Sequence, residues 1–191
     1  MNSQISWQNL LFLQSIEASA AYLKIMSEVW GVQVRSIVEI GVFDGRTSKL
    51  FRALFPDAFL YLIDPWQLYD EYLSAEAGPI SKMQDDYENA YREVKETFKQ
   101  DQKVEILRKT SMEALDDVPD GIDLVYIDGN HSYFHVKQDI EHWFPKVCPM
   151  GMLSGHDYNP SYFPGVIKAV NELFPESVVL GQDYTWLKQK T

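Results

Sequence analysis

Residues 36–50, "SIVEIGVFDGRTSKL", decide the fold. The run from Ser36 to Ile40 has the apolar, partly β-branched character of a strand. It gives way to Gly41 and Gly45, after which Thr47, Leu50, Phe51 and Leu54 recur at helical spacing. Strand, glycine turn and helix in that order describe a nucleoside pocket. The two glycines permit a tight turn and close approach of a ligand to the backbone, and the free N–H groups of the helix start face the same side. Asp64 ends the next β-rich run, "FLYLID" (59–64), where a carboxylate accepts hydrogen bonds from ribose hydroxyls.

Outward from this core the same alternation continues. Further β-rich runs are "VEILR" (104–108), "DLVYID" (123–128), "GMLSGHD" (151–157), "SVVL" (177–180) and "YTWLK" (184–188). Helical patterns lie between the earlier ones: Tyr87, Tyr91, Val94 and Phe98, then Val136, Ile140, Trp143 and Val147. Strands alternating with helices predict an α/β fold, a doubly wound Rossmann-like sheet of seven mostly parallel strands with helices on both faces. The last two runs are joined only by "GQD", too short for a parallel crossover, which predicts a C-terminal antiparallel hairpin. Residues 1–30 read as an N-terminal helical extension and residues 31–191 as the main domain. The acidic, aromatic segment 65–81, "PWQLYDEYLSAEAGPIS", reads as a lid or substrate loop, with a solvated excursion as the alternative.

The bulk properties narrow the function. A chain of 191 residues, 46% hydrophobic, suits one domain with a full core. Lys and Arg number 17 against 28 Asp and Glu, and the net charge of −11 disfavours nucleic acid and anionic membrane as partners. A small-molecule partner is expected. The single cysteine, Cys148, gives no disulfide framework and fits a reducing cytoplasm. The N-terminus carries no cation before Lys24 and shows neither a signal peptide nor a spanning helix. Its apolar face offers a surface for a homo-oligomer.

The dinucleotide spacing G-x-G-x-x-G is absent, and Glu39 precedes the glycines. A carboxylate there disfavours a pyrophosphate and favours a cofactor carrying positive charge or an amino group, as S-adenosylmethionine does. Through "EIGVFDG", the acid of "YLIDPW" and "DLVYID", the sequence resembles the class I S-adenosylmethionine-dependent methyltransferases. "IDGNHSYFHVKQDIEHWFPKVCPMG" and "SGHDY" are similar to their small O-methyltransferase branch, often built around a divalent metal. The resemblance implies that Glu39 and Gly41 lie near the methionine part of the cofactor and that Gly45 shapes the loop. Asp64 would hold the ribose, Trp66 flank adenine, Ser111 and Met112 close the adenine side, and Asp128 complete the cofactor wall. Core packing accounts equally for Trp66, and a helix N-cap for Ser111.

The ends of the fourth and fifth strands carry the remaining chemistry. Adjacent parallel strands lie about 4.8 Å apart, so Asp128, His156 and Asp157 can converge on one point. Two carboxylates and an imidazole suit Mg²⁺ or Mn²⁺. Asn159 is a further oxygen donor, although "DYNP" is also good turn chemistry. Methyl transfer requires the acceptor hydroxyl to lose a proton. His131, three residues past Asp128, is the expected catalytic base, with backbone capping as its alternative. His156 is read as a ligand or as a hydrogen-bonding group beside one. On the following helix His135, Asp139, His142 and Lys146 form a polar stripe expected to be solvated.

Overall fold

The computed structural model describes residues 17–191 other than 75, 176 and 182. Its elements are α1 (Glu17–Val29), β1 (Ser36–Ile40), α2 (Arg46–Leu54), β2 (Phe59–Ile63), a 3-10 turn (Asp70–Leu73), α3 (Gln84–Phe98), β3 (Val104–Leu107), β4 (Ile122–Ile127), α4 (Tyr133–Trp143), β5 (Val147–Gly155), α5 (Pro164–Leu173), β6 (Val179–Leu180) and β7 (Trp186–Gln189). The strands form one seven-stranded sheet in the order β3-β2-β1-β4-β5-β7-β6. The pairs among β1 to β5 are parallel; β7 runs antiparallel between β5 and β6. The doubly wound sheet and the C-terminal antiparallel pair are therefore as the sequence predicts.

The period of two along each strand sorts side chains between two cores. Ile37, Leu60, Leu62, Leu124 and Tyr126 face α1, α2 and α3, whose Leu23, Phe51, Tyr87 and Val94 cover them. Val38, Ile40, Val125, Ile127 and Leu153 face the other way, under Val136, Ile140 and Trp143 of α4 and Val166 and Val170 of α5. Strands covered on both faces are largely apolar, which explains why the run 124–127 shows no polar alternation. Glu39 is a buried acid among them, 1% exposed on the α2 face, and Ser154 of β5 is a buried hydroxyl.

Two expectations need correction. Val147 does not continue the stripe of α4. The helix ends at Trp143, because Pro145 follows, and Val147 opens β5 by pairing with Ile122. The register then shifts between Ile122 and Leu124, so β5 is four residues longer at its start than the run "GMLSGHD" predicts. The crossover from β3 to β4 contains turns rather than an α-helix; Thr110 and Glu113 exchange hydrogen bonds there, the Thr110 amide and hydroxyl donating to Glu113 Oε2 at 2.9 Å. Residues 1–16 of the expected N-terminal extension lie outside the described residues.

Candidate active site

The carboxyl ends of β1, β2 and β4 are drawn together by backbone packing. Gly41 has φ 89°, its N–H donates to the Ile63 carbonyl at 2.9 Å, and a Cβ placed on it would lie 2.1 Å from the Asp128 carbonyl oxygen. Only glycine lets the turn after β1 rest on the end of β4. Beneath it, Glu39 accepts a hydrogen bond from Ser48 at the start of α2 at 2.5 Å. Burial holds the Glu39 carboxyl well above the usual carboxylate range; the Ser48 hydroxyl opposes that, and the acids Asp128, Asp64 and Asp44 reinforce it.

Asp64 braces the next two segments. Its Oδ2 accepts from the Phe43 amide at 3.0 Å and its Oδ1 from the Trp66 amide at 2.6 Å, while Trp66 Nε1 donates to the Phe43 carbonyl at 2.7 Å. Phe43 and Trp66 both adopt φ 45°, a conformation that bulky residues rarely take, and the carboxylate holds both amides in it. Burial raises the Asp64 pKa against the pull of these amides and of Arg108.

Above these ends lies a cavity of about 270 Å³. Gly41, Asp64, Ser111, Met112, Asp128 and Asp139 line its floor and walls, and Tyr69, Tyr72 and Ile80 of the 65–81 segment cover it. That segment is docked, not solvated. Gln84 at the start of α3 accepts from the Leu68 amide at 2.8 Å and donates to the Trp66 carbonyl at 2.9 Å. Farther along, Glu76 accepts from the Tyr133 amide at 3.2 Å and so caps the first turn of α4.

The 65–81 segment also reaches the loop after β4. The Ala77 carbonyl accepts from the His131 amide at 3.1 Å and lies 2.9 Å from His131 Nδ1. A carbonyl only accepts, so Nδ1 carries the hydrogen and Nε2 points the other way. There it meets Asp157 Oδ2 at 2.9 Å and Asp128 Oδ1 at 3.5 Å. Burial disfavours the cation, but hydrogen bonds to Asp128 and Asp157 outweigh it and push the His131 pKa up to about 10. Asp157 sits in the left-handed region with φ 58°. Its carboxyl is held below its ordinary range by His131 and His156, which overcome its burial.

Donor atoms of Asp128, His131 and Asp157 all lie within 4.8 Å of one another. Two oxygen donors and one imidazole, the latter oriented through its far nitrogen by Ala77, fit a hard divalent cation. His156 stands beside this cluster. Its Nδ1 is 3.3 Å from Asp157 Oδ1 and its Nε2 is 3.9 Å from Asp183 Oδ2; although burial opposes the cation, Asp157, Asp128 and Asp183 raise its pKa to about 9.

A family profile described as a methyltransferase domain matches residues 38–158. The chain belongs to the methyltransferase-domain family. Solved structures share the fold of this methyltransferase at low identity. The O-methyltransferase NovP is 19% identical with a TM-score of 0.65, covering 92% of this chain and 78% of its own. CalS11, a TDP-rhamnose 3'-O-methyltransferase of calicheamicin biosynthesis, is 18% identical with a TM-score of 0.62, covering 98% and 88%. An S-adenosylmethionine-dependent O-methyltransferase from Thermotoga maritima is 11% identical with a TM-score of 0.59, covering 94% and 72%. A 53-residue stretch is 49% identical to the uncharacterized protein y4gI of Sinorhizobium fredii; the match covers 27% of this chain and 6% of that protein's length.

The methyltransferase brings most of the sequence-selected residues to one crevice. Gly41, Asp64, Ser111, Met112 and Asp128 line the cavity, with Glu39 buried beneath Gly41. Gly45 instead lies against Val94 and Phe98, where it starts α2 at φ 73°. Trp66 is fully buried, packs on Tyr91 at 4.9 Å between ring centroids and does not line the cavity, so core packing accounts for it. Ser111 caps no helix; its hydroxyl donates to Asp139. Asn159 accepts from the Ser161 amide at 2.9 Å, which is the turn role. The polar stripe of α4 divides: His142 is exposed, whereas Asp139 is 4% exposed and, with His135, faces the cavity. A Ser or Thr after β3 opposite an acid on the next helix is the only sequence signal for that pair, and it is weak. Among the described residues no helix is long and apolar enough to cross a membrane.

Proposed function

We propose that this chain is an S-adenosylmethionine-dependent O-methyltransferase acting on a hydroxyl of a small molecule, with a divalent cation, Mg²⁺ or Mn²⁺, held by Asp128, His131 and Asp157. The observation that carries the reading is the double position of Asp128, which lines the cavity and belongs to the donor cluster at once. A methyl donor in the cavity and an acceptor oxygen at the cluster would then be adjacent. The names of the fold relatives, among them a sugar O-methyltransferase, support a hydroxyl acceptor.

Each part of the chain has a task in this reading. Asp64 accepts from the ribose hydroxyls with the lone pairs that the Phe43 and Trp66 amides leave. Gly41 lets the donor lie against the backbone, and the buried Glu39 sits below its amino-acid portion. A bound cation supplies a lowered pKa to the acceptor hydroxyl. The lid excludes water and, through Ala77, keeps His131 Nε2 aimed at the cluster. Correct positioning alone supplies up to about 7–11 kcal/mol of the barrier reduction.

In this proposal His131 is a cation ligand rather than the free base, and His156 takes the second role read for it, a hydrogen-bonding group beside a ligand. His131 Nε2 lies between the two carboxylates, and His156 supports Asp157 from outside the cluster. A metal-free reading has one observation in its favour: without a cation, a proton on Nε2 satisfies both carboxylates. Held at about 10, that proton leaves His131 a base only in strongly alkaline solution, so turnover without metal should climb with pH toward 10.

Calorimetric titration with S-adenosylmethionine and S-adenosylhomocysteine, with and without Mg²⁺ or Mn²⁺ and repeated on Asp157→Ala, tests the proposal. Micromolar cofactor binding together with metal binding that the variant loses is the expected result. Cofactor binding with no metal binding leaves the metal-free transferase, and binding of neither cofactor form removes the methyltransferase reading of the cavity.

A further inference from the structure

We propose that Asp139, oriented by Ser111, reads the adenine edge of the cofactor, its carboxyl group pairing with N1 and the exocyclic amine. The inference rests on the cofactor assignment above and adds a specificity-determining residue to it.

The sheet order places the subsites. From β3 through β2 and β1 to β4, the cavity passes Ser111 and Met112, then Asp64, then Gly41, then Asp128. A nucleoside with its ribose at Asp64 and its reactive sulfur toward Asp128 must carry its base at the β3 end. Thr110, Ser111, Met112, His135, Gln138 and Asp139 line that end. The Thr110 hydroxyl donates to Glu113 and the Ser111 hydroxyl to Asp139, Met112 offers only a thioether, a weak acceptor, and of the three α4 residues Asp139 is the acid. Asp139 comes from α4 on the opposite wall and is 4% exposed, and the Ser111 hydroxyl donates to its Oδ1.

Adenine presents a donor at its amine and an acceptor at N1. A neutral carboxylic acid presents the complement, one O–H donor and one carbonyl acceptor. Burial raises the Asp139 acid to about 7, against the Ser111 hydrogen bond and the charge of His142, so the proton needed for this pairing is available near neutrality. An acid with that pairing capacity has no use on a solvated stripe, and an acid present only to tie the β3–β4 turn to α4 would have no preference for one base over another. The two roles thus differ in a measurable property.

The test compares dissociation constants of S-adenosylhomocysteine and S-inosylhomocysteine for the full chain by calorimetry. The inosyl compound has a 6-oxo group in place of the amine and a hydrogen on N1, which inverts both hydrogen-bonding sites. The wild type should prefer the adenosyl form by about 10-fold or more, as expected for a bidentate pair. Asp139→Ala should bring the ratio close to one, while Asp139→Asn, which keeps a neutral donor and acceptor, should retain it. If Asp139→Ala does not fold, Asp139→Leu fills the space without a polar group and should abolish the preference likewise. Equal binding of both compounds by the wild type overturns the inference alone. So does a variant that weakens both compounds by the same factor and keeps their ratio. Failure of the wild type to bind either one overturns the cofactor assignment and this inference with it.

Discussion

At the scale of single residues, the site is organised by acids whose surroundings differ. Asp64 stays close to backbone amides that reward its charge, whereas Asp139 is buried with one hydroxyl for company. The consequence for Asp139 has a definite sign. Its acid is held at about 7 in the folded protein against an ordinary value near 3.8, so ionising it costs folding free energy. That cost is absent below the unfolded value, grows as pH rises, and is fully developed above 7. Asp139→Asn should therefore stabilise the protein by about 1–4 kcal/mol at pH 8 and by little at pH 4. Urea unfolding at the two pH values measures this, and an equal effect at both would contradict the burial argument. The opposite case is Asp64→Ala, which strands the Phe43 and Trp66 amides in a buried setting. It should cost about 2–4 kcal/mol in the same assay. Neither acid announces its environment in sequence: Asp64 is recognisable because it ends a strand, while Asp139 shares a helical stripe with exposed residues and becomes buried only because the turn after β3 covers that part of α4.

At the scale of elements, the lid and the glycine turn act through close approach. Gly78 has φ 67°, and a Cβ on it would lie 2.5 Å from Phe163 and 3.0 Å from His131 Nδ1. Gly78→Ala should lift residues 76–80 from the loop that bears His131. Hydrogen exchange should then quicken at the His131 and Tyr133 amides, which donate to Ala77 and Glu76, and stay unchanged in β1 and β2. Unchanged protection at those two amides would show that the lid tolerates the methyl group. Segment 65–81 was recognisable in sequence as a long irregular stretch between a strand and a helix. Its path was not, because the contacts that dock it, Glu76 with Tyr133 and Ala77 with His131, join residues more than fifty positions apart.

At the scale of the whole molecule, the parallel strands bring Asp128 and Asp157 from separate βα turns to one point, and the lid adds the orientation of His131. Binding there should stabilise the fold by mass action. At a Mg²⁺ or Mn²⁺ concentration 100 times the dissociation constant, the gain is about 2.7 kcal/mol, or a rise in Tm of roughly 5–10 °C for a domain of this size. Differential scanning calorimetry of wild type and Asp157→Ala, with and without cation, measures it; a rise of equal size in the variant would place the cation elsewhere. Sequence alone determined the alternation of strands and helices, the glycine turn after β1, the acids at strand ends and the antiparallel pair at the C-terminus. All of these follow from local periodicity and backbone conformation, which neighbouring residues decide among themselves. Only the tertiary structure decided that His131 rather than His156 joins Asp128 and Asp157, that Trp66 belongs to the core, and that Asp139 turns inward. Those outcomes depend on strand register, on the route of the lid and on which surface covers each helix face, and such contacts between distant segments leave no periodic trace in the chain.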